Sequence, residues 1–245
     1  MLYAHTLEGH PKEDWQPLQE HLGNTGKLAA KFASAFGAPL TAMTLGAIHD
    51  TGKASVEFQH RLEGCPTPVD HATAGALLLA SRWEQNSSKQ STMLGIMFSR
   101  FLAYPILGHH GGMPDVGSAC TTGLEHRLSP EYTRLLPHWD DTEITVPVSP
   151  MDVYNELHPL LCKEGKLDAF CSSFAVRMLF SCLVDADFLD TEEFCSPEKS
   201  RLRHQPPRIS LLAGKMDSYL ATRGFLGTRN IDPGQLKNAA KTPCG

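Results

Sequence analysis

The sequence predicts a single, mostly α-helical domain, and three observations lead there. Apolar residues recur at helical spacing through most of the 245 residues. Strand signals are weak, with Glu143 to Val148 the one candidate. An apolar fraction of 41% with 20% charged residues suits a globular chain with a sizeable core.

The elements follow in order. From Pro17 to Phe36, Leu18, Leu22, Leu28, Phe32 and Phe36 form an apolar stripe, and Gly37 is a stop signal. A short apolar helix from Leu40 carries Leu45 and Ile48 into His49-Asp50, with Gly52 at its end. Ala54 to Leu62 is a short amphipathic piece. Thr73 to Trp83 and Thr92 to Leu107 are strongly apolar helices, the second expected to bend near Tyr104-Pro105. Residues 111–150 are rich in Gly, Pro, Ser and Thr and read as an insertion or flap, with a short helix near Pro130 to Leu136. Leu167 to Leu189 is the most apolar helix and ends in Leu183-Val184-Asp185-Ala186-Asp187-Phe188. Ile209 to Leu220 is a last amphipathic helix. The domain is expected to span 1–228, with 229–245 a flexible tail.

Composition narrows the function classes. A net charge of −5 speaks against a nucleic-acid binder acting by bulk charge. Seven widely spaced cysteines without a CxxC pair point to a reducing cytoplasm rather than a disulfide framework or zinc ribbon. Met1-Leu2-Tyr3-Ala4-His5 is not a signal peptide, and apolar stretches such as Ala74 to Ala80 are too short to span a bilayer. A cytoplasmic protein without a membrane partner is expected.

The histidines carry the chemistry. His49 and Asp50 are adjacent, as are His109 and His110 before Gly111-Gly112; His71 follows Asp70, and His21 lies upstream. Neighbours on a helix point about 100° apart, so His49 and Asp50 share a site only where a helix end faces it. Lys53 lies three residues after Asp50, close enough for its cation to hold a phosphate oxygen. Each feature alone has a plain structural account. His49-Asp50 can be a helix-end pair with a solvated lysine, His109-His110 a surface loop, and His21 and His71 hydrogen-bonded core residues. Asp185 and Asp187, near the end of an apolar helix, can be caps. Together they recur in the order His, His-Asp, His, His-His, Asp, which suits a di-metal site of imidazole and carboxylate. Two such ions would polarise a phosphate ester and activate water at neutral pH.

Several longer matches sharpen this. They are Ala4-His5, Trp15-Gln16-Pro17-Leu18 running into His21-Leu22, and Ile48-His49-Asp50-Thr51-Gly52-Lys53-Ala54-Ser55 with Phe58-Gln59. Asp70-His71-Ala72-Thr73-Ala74-Gly75-Ala76, Gly108-His109-His110-Gly111-Gly112 and Leu183-Val184-Asp185-Ala186-Asp187 complete the set. On these residues the chain resembles the HD phosphohydrolase superfamily, and within it the HD nuclease domain of the type I CRISPR-associated nuclease-helicase. The resemblance covers about residues 4–195.

The resemblance implies an all-α HD fold and a dinuclear centre that cuts single-stranded DNA, as both endonuclease and exonuclease, in CRISPR antiviral defence. It implies that His21, His49, Asp50 and Asp187 hold the first ion, with Asp185 the alternative late ligand. Asp50 would bridge to a second ion held by His71, His109 and His110, and Lys53 would contact the scissile phosphate. The expected ions are Mn, Fe, Co or Ni, with Mg less suited to imidazole. The expected partners are single-stranded DNA, a separate or removed helicase and an RNA-guided targeting complex. The family usually continues into a helicase with a GxxxxGK[ST] loop, which this sequence lacks. Two other functions stay open at this point: hydrolysis of a small nucleotide, and a degenerate HD module for docking or inhibition.

Overall fold

The computed structural model describes residues 1–84, 89–117, 122–203 and 209–223. They are predominantly helical, and they divide into two compact units, Met1–Ser200 and Arg201–Gly245. The first unit contains every candidate site residue.

The chain enters through a short antiparallel pair, β1 (Tyr3–His5) with β2 (Gln16–Pro17), which lays His5 beside the start of the first helix. That helix, α1 (Leu18–Ala33), buries Leu18, His21, Leu22, Ala29 and Ala33 on one face, as the apolar stripe predicts. A 3-10 turn over Ser34–Phe36 and Gly37 at φ 81° reverse the chain. Next, α2 (Pro39–Ile48) runs back across α1. The two backbones touch at the crossing, since a Cβ on Gly46 would lie 2.5 Å from the Gly26 nitrogen.

His49 caps α2, and Asp50 leads into a 3-10 turn, Thr51–Ala54. Gly52 is therefore not a left-handed helix stop. It is a point of close approach: a Cβ there would lie 2.5 Å from the His71 Cα, and the Gly52 N–H donates to the His71 carbonyl at 3.1 Å. Ser55 then caps α3 (Val56–Leu62), accepting from the Phe58 N–H at 3.3 Å.

The helices α4 (Ala72–Glu84) and α5 (Lys89–Gly108) pack along each other. Pro105 lies inside α5, which continues past it to Gly108. The irregular stretch at 111–150 forms α6 (Leu124–Arg127) and α7 (Pro130–Thr133). Its described parts are strapped down: Leu124 and Ile144 are buried, Trp139 bridges to Ser55, and the Asp140 N–H donates to the Ala54 carbonyl at 3.3 Å. The strand expected over Glu143 to Val148 does not form. Ile144 is buried and Val146 and Val148 rest on the core, so one-sided burial produced the alternation without a partner strand.

Besides the β1–β2 pair, α6 and a later short helix at Pro197–Leu202, two elements went unanticipated. One is α8 (Pro150–Leu161), opened by a reciprocal capping box between Ser149 and Asp152. The other is the hairpin of β3 (Cys162–Lys163) and β4 (Lys166–Leu167). Asp168 then caps α9 (Ala169–Cys195), which runs beyond the predicted end at Leu189. The helix α10 (Pro197–Leu202) follows, and α11 (Ile209–Thr222) belongs to the second unit. The expected tail at 229–245 lies outside the described residues.

Phe98, Leu45, Ile48, Leu79, Leu102, Ile106, Leu157, Leu179 and Leu183 are fully buried where α1, α2, α4, α5, α8 and α9 meet. By length and composition α9 is apolar enough to cross a membrane, with mean hydropathy 1.5 over 18 residues, contrary to the expectation that every apolar stretch is too short. Its inner face packs in this core against α1, α2, α5 and α8, and it carries Asp185, Asp187 and Asp190.

The backbone contact of α1 and α2 sets up a test. Alanine in place of glycine adds about 1 kcal/mol in an exposed helix, but overpacking a tight core costs about 1–3 kcal/mol. At Gly46 the clash is with rigid backbone, so the second effect wins. Gly46→Ala should lower the urea midpoint; an unchanged or raised midpoint would show that the crossing has room.

Candidate functional site

Asp50 is the centre of the site. The end of α2 delivers it into the core, where it is 0% exposed, so its charge demands positive partners. Its two oxygens face different groups. Oδ1 lies 3.2 Å from His109 Nε2, 3.6 Å from His71 Nε2 and 4.0 Å from His110 Nε2. Oδ2 lies 3.3 Å from both His21 Nε2 and His49 Nε2. Lys53 Nζ approaches the same oxygen at 2.7 Å, a charge contact without hydrogen-bond geometry. Asp187 Oδ1 completes that side, 3.4 Å from His21 Nε2 and 3.5 Å from His49 Nε2.

Two groups of donor atoms result: His21, His49, Asp50 and Asp187, and Asp50, His71, His109 and His110. Within each group the atoms lie within 4.8 Å of one another. All seven candidate ligands are thus brought together, with Asp50 common to both groups. Asp185, the alternative late aspartate, is exposed and belongs to neither among the described residues. It sits two residues from the inward-facing Leu183, so the helix turns it away from the site.

The imidazoles are oriented from behind. His21 Nδ1 donates to Asp190 Oδ2 at 2.7 Å, His49 Nδ1 to the Gly46 carbonyl at 2.9 Å, His71 Nδ1 to the Val69 carbonyl at 3.1 Å and His109 Nδ1 to the Ile106 carbonyl at 2.6 Å. A neutral ring whose Nδ1 donates has its lone pair on Nε2. Four lone pairs therefore converge on two carboxylates. His71 Nε2 and His110 Nε2 also face each other at 2.6 Å. Such crowding requires protons or cations between the groups. His21 Nε2, His49 Nε2 and Asp50 Oδ2 are buried without hydrogen-bond partners, as ligand atoms awaiting a metal would be. The donor set, imidazole plus carboxylate, fits divalent transition ions.

Without metal, protons take that place on one side. Burial opposes charging His21, but the nearby carboxylates of Asp187, Asp190 and Asp50 win and raise it to about 9. Burial also opposes charging His49, but Asp50 and Asp187 raise it to about 10. For the carboxylates, burial favours the neutral form, yet Lys53 and His49 hold Asp50 well below the usual range, and His21 and His49 do the same for Asp187. Burial lowers His71, while burial and His109 lower His110 to about 4.

Residues beyond the predicted set support these. Asp190, one turn after Asp187, accepts from His21 and also from Gln16 Nε2 at 2.8 Å. The Asp187-to-Asp190 spacing was visible in the sequence, and a helix puts both on one face. His5 accepts from Lys53 Nζ at 3.2 Å; burial and Lys53 lower its pKa to about 3, keeping it an acceptor. Access is uneven: the His21 and His49 side chains are sealed, whereas that of His110 is 53% exposed. Beside it opens a cleft of about 380 Å³ whose lining includes His71, His110, Gly111, Gly112 and Arg127.

This arrangement of His-Asp, His and His-His on helix ends can be compared with known proteins. A family model described as Cas3, HD domain matches residues 8–184, more than half of the chain. The chain belongs to the Cas3 HD-domain family. No curated protein matches it. As a Cas3-type HD domain it carries a histidine and aspartate cluster able to hold metal. The matched range stops short of Asp187 and Asp190, so for those two the geometry alone makes the connection.

The pKa shifts fix how the metal-free domain responds to pH. His21 and His49 are raised in the folded state, so their contribution to stability is fully present below the ordinary histidine pKa of about 6.5. It is lost as pH rises through about 9 to 10. With EDTA present, the urea midpoint should fall over that window, and added manganese should lessen the fall. A midpoint that rises with pH there would contradict protonated imidazoles at the site.

Proposed function

We propose that this Cas3-type domain is a metal-dependent nuclease that cuts single-stranded DNA, internally and from ends, within CRISPR defence. The observation that carries it is the pair of ligand groups sharing the Asp50 carboxylate, with the His71 and His110 side beside a cleft. His21, His49, Asp50 and Asp187 would hold one divalent ion, and Asp50, His71, His109 and His110 the other. Mn, Fe, Co or Ni suits these donors better than Mg. When bound, the ions supply Lewis acidity toward a phosphodiester and an activated water.

The chain's own residues have separable tasks. Asp50 holds the two groups together. Asp190, Gly46, Val69 and Ile106 fix the ring orientations through Nδ1. Lys53 is buried and kept at the site by Asp50 and His5. Its ammonium is positioned to offset charge developing on a phosphate oxygen. A phosphate backbone reaching the cleft must bend past His110 and the Gly111-Gly112 turn, which single strands do cheaply. With a net charge of −5 the chain has little non-specific pull on duplex DNA. Opening of duplex and delivery of the strand fall to a helicase and an RNA-guided targeting complex.

Asp50→Ala should abolish cleavage of single-stranded DNA in manganese while the far-ultraviolet dichroism stays helical. Near-normal cleavage would overturn the assignment of Asp50. Lys53→Ala should keep the bound metal and lose about 10²-fold in rate, the usual cost of one electrostatic donor. Metal content falling along with rate would make Lys53 structural.

Substrate choice has its own test. The domain with manganese should cut linear and circular single-stranded DNA with little sequence preference and leave relaxed duplex plasmid intact. EDTA should stop the cutting. Turnover of free nucleotides with DNA untouched would favour a small-nucleotide phosphohydrolase instead.

A further inference from the structure

We propose that Arg127 is a positioning residue that sets the affinity of the metal ion held by His71, His109 and His110. This rests on the di-metal reading above. Arg127 comes from the irregular stretch at 111–150, outside every motif singled out in the sequence.

Its guanidinium joins two helix ends. Nη1 donates to the Leu107 carbonyl at 2.7 Å, in the last turn of α5. Nη2 donates to both Asp70 oxygens at 3.2 Å and to Thr73 Oγ1 at 2.7 Å, and Nε donates to Thr73 Oγ1 at 3.1 Å. Asp70 is in turn the acceptor that caps α4: its Oδ1 takes the N–H groups of Ala72 and Thr73, each at 3.1 Å. Tyr132 Oη adds a bond to Asp70 Oδ2 at 2.8 Å. Arg127 thus neutralises a carboxylate at the N-terminus of one helix and satisfies a carbonyl at the C-terminus of another.

The positions of those two ends decide the consequence. His71 immediately follows Asp70, and His109-His110 begins two residues after Leu107. One segment is the start of α4 and the other the end of α5, and the Arg127 guanidinium bonds to both. The fork geometry matters, because a guanidinium reaches a carbonyl, a carboxylate and a hydroxyl at once, whereas an ammonium is a point donor. The His21, His49 and Asp187 group lies at α1, the end of α2 and α9, and its contacts run to Asp50, Asp190 and the Gly46 carbonyl instead. The effect of losing Arg127 should therefore fall on one ion and spare the other.

The experiment is titration of the metal-stripped domain with manganese chloride alone, followed by calorimetry and by metal analysis after dialysis. The unmodified chain should bind two ions. Arg127→Ala should bind the first with unchanged affinity and the second about 10- to 100-fold more weakly, the usual cost of removing a group that orients ligands. Arg127→Lys should fall between, and Tyr132→Phe should weaken the same ion to a smaller extent with the fold intact. Two ions bound by Arg127→Ala at unchanged affinity would overturn the proposal. Equal weakening of both ions would also overturn it, by making Arg127 a general structural residue. If Arg127→Ala does not fold, Tyr132→Phe decides: unchanged affinity for both ions counts against the proposal. An unmodified chain that binds no manganese would sink the di-metal reading itself, a result distinct from either of the first two.

Discussion

The structure depends on one buried anion. Removing a carboxylate from water costs several kcal/mol even after relaxation, and Asp50 is fully enclosed. That cost explains why elements far apart in sequence end at the same point. α1 brings His21, the end of α2 brings His49, the start of α4 brings His71, the end of α5 brings His109 and His110, and α9 brings Asp187. The two oxygens divide the neighbours into a sealed side and an accessible one. Lys53 offsets one negative charge, so with Asp187 beside Asp50 further counter-charge, from protons or metal, is needed.

Local patterns were legible in the sequence because they sit at helix ends. His49-Asp50 follows an apolar stripe, Asp70-His71 precedes one, and His109-His110-Gly111-Gly112 ends one. The choice between Asp185 and Asp187 was also written there. Leu183, Ala186, Asp187 and Asp190 follow helical spacing, and three of the four are buried. The capping box at Ser149 and Asp152 announced α8, yet the surrounding Pro and Ser drew attention to irregular chain instead.

What stayed hidden was long-range. No motif marks Arg127 or Tyr132, and the Asp70 and Thr73 side chains they bond lie more than fifty residues away in sequence. The short strands contain two or three residues each, too few for alternation to register. Gly52 looked like a helix stop because its neighbours suggested one. The actual reason, the passage of the His71 backbone, depends on a residue nineteen positions on. Local chemistry predicted which side chains matter, and the packing decided which groups hold them.

The pair of carboxylates on α9 has a consequence for how this chain can vary. Asp187 faces His21 Nε2 and Asp190 holds its Nδ1, so one helix grips the same ring from two sides. Each residue added to or taken from a helix turns everything beyond it by about 100°. A single insertion or deletion between Leu183 and Asp187 would swing both carboxylates off the ring together, whereas substitutions on the outer face leave the register untouched. Descendants of this gene should therefore drift freely in the side chains of that face but keep the length of the segment fixed.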